Sequence, residues 1–596
     1  MNIKNRNFFI CVLVILLFVV LTFIMTFPLF TKVNSSMPGF HSTDEPSVWY
    51  FWWLKYAHIS NLDHRSCQYL AYPYGQDYGV YDSLYPLWSA FKRVMALTTN
   101  PCFSYNIEII LSFILSGFFV YLLMMFISKD IFISIFSGVI FAFSPYHFAR
   151  AWQHIGLAHI QWMPLYLYAL FKLQRDKKLK DSIFVFIAFF LIASFDYYYL
   201  YFMLLVTALF IIFCFLDDAK ANRKVILYTC LSTLFTLSIL LVILWPFIKM
   251  RILAKGANSV SAWSLYRPFE DLFIQSARPL SYFLPSTEHP LLGWITQNFI
   301  GTDMYGISLT EHALYLGWVP IILSFMAFLR WTKRRDKQLD ARENFYLKFF
   351  IVLVIFTWFF SQPPWWNIFG FKLYMPSFFM YKITAMFRAY CRFGIVLMLA
   401  VAALAGFGLK FILVRFKTKI TKIFITMLFC GLVLFEFWNY PPFKVIDLSR
   451  VPQVYYWLKG QPGNFVIAEY PLDVRGPNEK YKFYQTKHEK KMINGTIPGT
   501  PPNKKAQELV KLSDLKTAAA LKQMGVRYVL VHRDSYVKTD LVEEMEELDS
   551  ISKNVGLRMI KSFSAENCPV QGAMCLQKTG PIDVYEISSG KNVIEK

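Results

Sequence analysis

Charge is what this chain has least of. Only 17% of its 596 residues are Asp, Glu, Lys or Arg, while 56% are hydrophobic and 19% aromatic. That scarcity excludes an ordinary soluble chain of this size and indicates a polytopic membrane protein. Acid is scarcer than base, with 39 Asp and Glu against 61 Lys and Arg and a formal net charge of +22. The basic residues mostly cluster in short loops between apolar runs, as cytoplasmic loops of membrane proteins do, so nucleic acid is excluded as a partner. None of the nine cysteines falls in a Cys-x-x-Cys spacing, which argues against a structural zinc site. No small-residue cleavage site follows the first apolar run, Phe8–Phe27, so it reads as an uncleaved span. No internal repeat is visible.

What is present is a succession of apolar runs. They lie at about 8–27, 107–127, 131–144, 155–171, 182–195, 200–216, 225–248, 313–331, 345–361, 390–413 and 420–439. Lys4 and Arg6 place the N-terminus in the cytoplasm, and about eleven alternating spans then put every basic loop on the same side. The runs at 131–144 and 182–195 are short and also fit re-entrant segments. The result is a multi-pass protein of the plasma membrane with an N-terminal membrane domain, 1–440. From Tyr440 the composition changes, and Pro441-Pro442 reads as a linker. Strand-like runs at Phe465–Tyr470, Val526–His532, Leu557–Phe563 and Ile582–Ile587 alternate with helical stretches at Ser513–Met524 and Val537–Leu548. That alternation predicts an extracytoplasmic α/β domain, 441–596. Cys67 with Cys102, and Cys568 with Cys575, fall on the oxidising side and are open to disulfide pairing.

The segment Phe40–Ala57, FHSTDEPSVWYFWWLKYA, sets two carboxylates before a dense aromatic patch. Trp and Tyr favour the membrane–water interface. The segment therefore predicts a carboxylate pair at the outer surface backed by an interfacial helix, with a second such helix near Leu84–Leu97. Asp44 is expected as a catalytic base. Glu45 beside it is expected either as a pKa partner, since neighbouring like charges raise one pKa of the pair, or as a group that orients the acceptor. The plain alternative is two acids solvating a loop. Arg388 and Arg392, four residues apart, are expected to share a helix face and to fork the oxygens of a donor phosphate, with Lys382 as a third contact. Snorkelling to headgroups is the alternative there. His147, His154 and His159 bracket an outer gap in FSPYHFARAWQHIGLAHIQWMPL and are expected to touch substrate, with Gln161 deeper. Asp196, a carboxylate at membrane depth before three tyrosines, is a further substrate contact. So are His289 and Glu311 in the long outer loop, within the pairs Glu288-His289 and Glu311-His312. Asn34 and Asn494 begin glycosylation triplets.

With these residues in view, the chain resembles the GT-C superfamily of integral-membrane glycosyltransferases, in particular bacterial and archaeal members. The likeness rests on the acid after the first span with its following WYFWW, on LAYPYG at Leu70–Gly75, and on FAFSPYHFAR at Phe141–Arg150. It extends to His154 through Leu165, FRAYCRFG at Phe387–Gly394 and, in the tail, GVRYVLVH at Gly525–His532. The resemblance implies outer-face helices around a carboxylate, matched by Asp44, and a polyprenyl-phosphate sugar donor. It departs in Pro46, which follows the acid, and in the lack of a second acidic motif such as metal-dependent oligosaccharyltransferases use. A divalent metal, Mg or Mn, is the one cofactor considered, with no residues assigned to it.

The expected function is transfer of a sugar from a polyprenyl-phosphate donor to an extracytoplasmic glycan, lipid or protein acceptor, with membrane lipid as the further partner. Two alternatives remain open: a lipid-linked glycan transporter or flippase, and a degenerate scaffold. A transporter should carry charge near the bilayer midplane and repeated halves. The ionisable residues instead gather toward the outer face.

Overall fold

The computed structural model describes residues 3–39, 44–253, 267–333, 340–439, 444–472, 475–496, 500–537, 542–569 and 574–588. The chain packs as two compact units: Met1–Thr31, Ile107–Val242 and Leu265–Lys444 form the first, and Lys32–Asn106, Ile243–Ser264 and Val445–Lys596 the second. The division differs from a single cut at Tyr440, because residues 32–106 group with the C-terminal part. The reason is backbone pairing: Ser36–Pro38 lies antiparallel to Val445–Asp447.

Among the described residues, six helices are long and apolar enough to cross a membrane: Phe8–Met25, Pro101–Ser128, Tyr197–Asp218, Arg223–Trp245, Ala341–Ser361 and Tyr390–Leu413. Ile131–Ala142 and Pro145–Trp152 make a seventh if counted as one span bent by 42°. The bend falls at Pro145, which has no N–H to continue the helical ladder. Eleven spans were expected. The difference lies in helices that are too short or too charged for a bilayer that takes about 20 apolar residues. Trp162–Asp176, Leu179–Ala193 and Trp318–Thr332 are each 15 residues long. Lys419–Glu436 carries Lys419, Lys422 and Glu436 within its 18 residues.

At the centre of the first unit is the Gly394–Leu413 helix, which packs against Trp318–Thr332, Ala341–Ser361 and Ile131–Ala142. Nearly every residue along it is buried. Its small residues allow that. A Cβ on Gly408 would lie 2.1 Å from the Leu323 carbonyl oxygen, and one on Gly406 would lie 2.4 Å from Ser137 Oγ. Helices in lipid gain little from hydrophobic exclusion and depend on this kind of close approach.

The second unit is built on a five-stranded sheet in the order Leu557–Phe563, Ile582–Ile587, Val526–His532, Val466–Tyr470, Lys491–Met492. The first two pairings are antiparallel and the last two parallel. Three of the four expected strands have the bounds read from the sequence; the fourth begins one residue later, at Val466. Val466–Tyr470 is buried at every position, the mark of a central parallel strand. The LAYPYG stretch docks on the sheet edge, with Tyr72 N donating to Met492 O at 3.0 Å and Ala71 N to Asn494 O at 2.8 Å.

Cys568 and Cys575 are bonded. Cys67 and Cys102 are not. Each of the latter is buried, and Cys102 Sγ donates to Ser36 O at 3.2 Å.

Candidate functional site

In the first unit, three residues far apart in sequence form one buried cluster. Glu311 lies in the loop before the Trp318–Thr332 helix, Arg150 on the short Pro145–Trp152 helix, and Arg392 in the 3-10 turn Tyr390–Phe393 that leads into the central helix. Arg150 Nη2 and Nη1 donate to Glu311 Oε2 and Oε1 at 2.7 and 3.2 Å. Arg392 Nη2 and Nε donate to Oε1 and Oε2 at 2.6 and 3.0 Å. One carboxylate thus accepts two bidentate guanidinium forks, the strongest form of this pairing. Burial by itself would raise the Glu311 carboxyl, but the charges of Arg150 and Arg392 hold it well below the usual carboxylate range. Each guanidinium also lies over a tyrosine ring: Arg150 over Tyr146 at 4.9 Å and Arg392 over Tyr198 at 4.5 Å. Two cations on one anion leave the triad one positive charge in excess. A buried charge of this kind is costly unless something pairs with it.

Two further expected residues lie beside the triad. Asp196 caps the Tyr197–Asp218 helix by accepting from Tyr199 N at 3.0 Å. Burial raises its carboxyl to about 6, against the opposing pull of the Tyr199 N–H and of Arg392. His154 sits in the left-handed region at φ 64°. It is solvent-accessible yet crowded by protein, and that crowding, with the charges of Arg150 and Arg392, lowers its pKa to about 4. Arg388 pairs with Asp271, Nη1 to Oδ2 at 2.6 Å. Arg388 and Arg392 do not share a helix face as expected, because residues 384–389 are not helical and regular structure begins only at Tyr390. Lys382 is exposed and lies over the Phe378 ring at 4.4 Å.

An apolar groove of about 530 Å³ opens in the same unit. Leu316, Phe325, Phe328, Ile355, Trp358 and Leu397 line it, drawn mostly from three packed helices. Leu397 is five residues past Arg392, a rise of about 7.5 Å along a helix. One member of the triad thus stands in the turn that leads directly into a helix lining the groove.

Two of the remaining expected histidines, His147 and His289, have both ring nitrogens engaged by the protein. His147 is fully buried, with Nδ1 2.7 Å from Ala142 O, Nε2 2.9 Å from Ser112 Oγ, and its ring stacked on Phe113. His289 accepts from Leu291 N and Leu292 N at Nδ1, so its proton is on Nε2, donated to Phe435 O at 2.8 Å. Both nitrogens of each ring are engaged, which leaves neither a free edge for substrate. His159 Nε2 is 3.7 Å from Glu108 Oε2, and Gln161 Nε2 is 3.1 Å from His159 Nδ1. Glu288 pairs with Lys444 at 2.6 Å.

Asp44 belongs to the second unit. It is 8% exposed and stands at the N-cap of the Glu45–Ile59 helix, with Pro46 in the first turn, where a missing N–H costs nothing. Tyr105 Oη donates to Asp44 Oδ2 at 3.0 Å. Residues 40–43 and the Glu45 side chain lie outside the described residues. The aromatic patch behind Asp44 forms a helix as expected, but its rings turn into protein: Trp49, Phe51 and Trp53 are buried, and Trp49 Nε1 donates to Gln485 Oε1 at 2.9 Å. The periodicity of an aromatic helix does not tell a membrane surface from a protein core. Among the described residues, no three His, Cys, Asp or Glu side chains converge to hold a metal ion.

Arg150 was passed over in the sequence, although it stands inside a quoted motif. An arginine within an otherwise apolar run was the available signal. Asp271 carries no such signal, because it lies in a polar loop.

The apo-form oligosaccharyltransferase of Archaeoglobus fulgidus is similar to this chain with a TM-score of 0.50, 11% identity, and coverage of 95% of this chain and 75% of that one. The archaeal oligosaccharyltransferase AglB of the same organism, in complex with an inhibitory peptide and a dolichol-phosphate, gives 0.49, 12%, 90% and 72%. ArnT from Cupriavidus metallidurans bound to undecaprenyl phosphate gives 0.35, 10%, 97% and 99%. The architecture is that of a multi-pass membrane protein with a GT-C fold. Residues 12–435 match the family model described as "Domain of unknown function (DUF6311)", and the chain belongs to that family. No curated protein matches its sequence.

Proposed function

We propose that the protein transfers a sugar from a polyprenyl-phosphate donor to a hydroxyl on an extracytoplasmic acceptor, with the N-terminus cytoplasmic and the C-terminal domain outside. The observation that carries this reading is the excess positive charge of the Arg150–Glu311–Arg392 triad, whose Arg392 stands in the turn leading into a helix that helps to line an apolar groove. A polyprenyl phosphate has matching parts, an anionic head and an apolar tail. Arg392, Arg388 and Lys382 are assigned to the phosphate, with Arg150 completing the cationic set. His154 and Asp196 are assigned to contacts with the sugar. The groove takes the isoprenoid chain.

Asp44 is assigned as the base. In a single inverting displacement the acceptor oxygen bonds to the anomeric carbon as the bond from that carbon to the phosphate oxygen breaks. The hydroxyl proton passes to Asp44, and the electron pair leaves with polyprenyl phosphate. Phosphate is a sufficient leaving group once its charge is neutralised, so a base and fixed cations account for the chemistry. Burial of Asp44 next to the Tyr105 hydroxyl supports a positioned carboxylate over a loop acid in bulk water.

The test is incubation of the full chain in lipid nanodiscs with a panel of labelled polyprenyl-phosphate sugars and envelope acceptors. Asp44→Asn should lower transfer by about 10²–10⁴-fold, the usual contribution of a general base. Equal transfer by parent and variant removes Asp44 from the mechanism. No transfer with any donor, alongside saturable lipid binding, moves the assignment to transport.

A further inference from the structure

A separate recess lies entirely within the second unit, in the segment between Arg65 and Arg93. Its volume is about 220 Å³, smaller than the roughly 300–1,000 Å³ of drug-sized sites. That is room for one small polar ring, and more than a bare inorganic ion needs. The lining carries Arg65, Arg93 and Asp82, with the hydroxyls of Ser83 and Ser89.

The arrangement is built from the acid outward. Asp82 is buried, and both its oxygens are engaged. Oδ1 accepts from Tyr50 Oη at 3.1 Å, while Oδ2 takes Arg93 Nη2 and lies 3.3 Å from His64 Nε2. The acid therefore fixes Arg93, and each of its oxygens already has a protein partner. Arg93 Nε is buried without a hydrogen-bond partner among the described residues. The backbone of Arg65 is pinned on both sides: its N–H donates to Asp63 Oδ1 at 2.9 Å, and its carbonyl accepts from Tyr78 N at 2.7 Å. Its guanidinium is exposed at the recess. Asp82 is the one acid among the lining residues, so two guanidinium groups against one carboxylate leave one positive charge in excess. Arginine forks match carboxylate and phosphate oxygens. Serine hydroxyls can both donate to and accept from a sugar's hydroxyls.

We propose that this recess binds a single anionic saccharide unit, a sugar ring bearing a carboxylate or a phosphate. Arg65 and Arg93 hold the anion, and Ser83 and Ser89 face the ring. The inference uses the second unit alone, so it stands or falls apart from the donor assay above.

The test titrates the purified full chain, in nanodiscs of neutral phosphatidylcholine, with glucuronate, glucose 6-phosphate, glucose and inorganic phosphate. Isothermal calorimetry and saturation-transfer NMR read the binding. Glucuronate, glucose 6-phosphate or both should bind saturably, at least tenfold more tightly than glucose and than inorganic phosphate. Whichever of the two binds identifies the anion. Arg65→Gln, at an exposed side chain, should weaken that binding tenfold or more with no change in melting temperature, and Ser83→Trp should block it. The proposal is overturned if no sugar anion binds, if glucose or phosphate binds equally well, or if Arg65→Gln leaves the affinity unchanged.

Discussion

Glu311 in the first unit is 6% exposed, and Glu469 in the second is 0% exposed. Both carboxylates are taken out of water, and their surroundings differ in kind. Glu311 is held by two arginines, which stay charged at any working pH. Glu469 Oε2 accepts from Tyr455 Oη at 2.6 Å and meets His532 Nε2 at 2.8 Å, while Oε1 has no hydrogen-bond partner among the described residues. Burial and the Glu469 charge push the Tyr455 hydroxyl well above its ordinary range, so it remains a donor. The helical unit thus balances a buried acid with permanent opposite charge and overshoots by one. The α/β unit engages one oxygen of its acid with a hydroxyl and a ring. The first arrangement carries one positive charge more than its own carboxylate neutralises, whereas the second carries no fixed cation on its acid.

The largest test of this contrast is Glu311→Gln. It leaves two buried guanidinium groups with no carboxylate, and removing one partner of a buried pair costs about 3–5 kcal/mol. Thermal melts in detergent should show it, and Arg150→Met added to Glu311→Gln should recover part of the loss. A mild effect would mean that the triad is well hydrated.

Asp196 offers a sharper intermediate case, a carboxylate near Arg392 with no fork upon it. Its folded pKa, about 6, is raised above the ordinary carboxylate value. Its contribution to stability is therefore fully present below the unfolded pKa, near 4, and is lost as pH rises through about 6. Asp196→Asn should flatten that slope, gaining up to about 3 kcal/mol on the parent between pH 4 and pH 8. Parallel melting curves for parent and variant across that range would refute the shift.

Glu469→Gln should cost less than Glu311→Gln, about 1–3 kcal/mol, because it weakens hydrogen bonds without stranding a charge. Urea unfolding followed by near-UV circular dichroism reads it. A loss larger than that of Glu311→Gln would reverse the comparison. The smallest effect belongs to a surface pair. Arg558, with a side chain 72% exposed, meets Glu586 at 2.6 Å. Arg558→Ala should change stability by no more than about 1 kcal/mol, and less at high salt.

How much of this was legible beforehand follows the range of each interaction. The strands Val526–His532, Leu557–Phe563 and Ile582–Ile587 came directly from runs of β-branched and aromatic residues, because strand propensity is local. The aromatic helix after Asp44 was also legible as a helix, but not the side its rings face. Trp49 is buried on Gln485, 436 residues away, and no local pattern encodes that contact. Glu311 and Arg392 were singled out separately, as a substrate contact and a phosphate contact. Neither reading anticipated that the two side chains bind each other, or that Arg150 joins them. The count of eleven spans is not matched by the six or seven helices that are long and apolar enough, for a related reason. Hydropathy marks apolar runs, whereas helix length is set by where prolines, polar caps and neighbouring helices stop each run.

The sequence by itself determined that this is a multi-pass membrane protein with an α/β tail and that its acids and bases are rationed. Composition, apolar run length and strand periodicity are sums over neighbouring residues, and folding does not alter them. Only the tertiary structure decided that Glu311 is clamped between Arg150, 161 residues before it, and Arg392, 81 residues after it. It also decided that residues 32–106 fold with the C-terminal part. Ion pairs and strand pairings across such distances form only when packing removes water from both partners, and that depends on the whole chain.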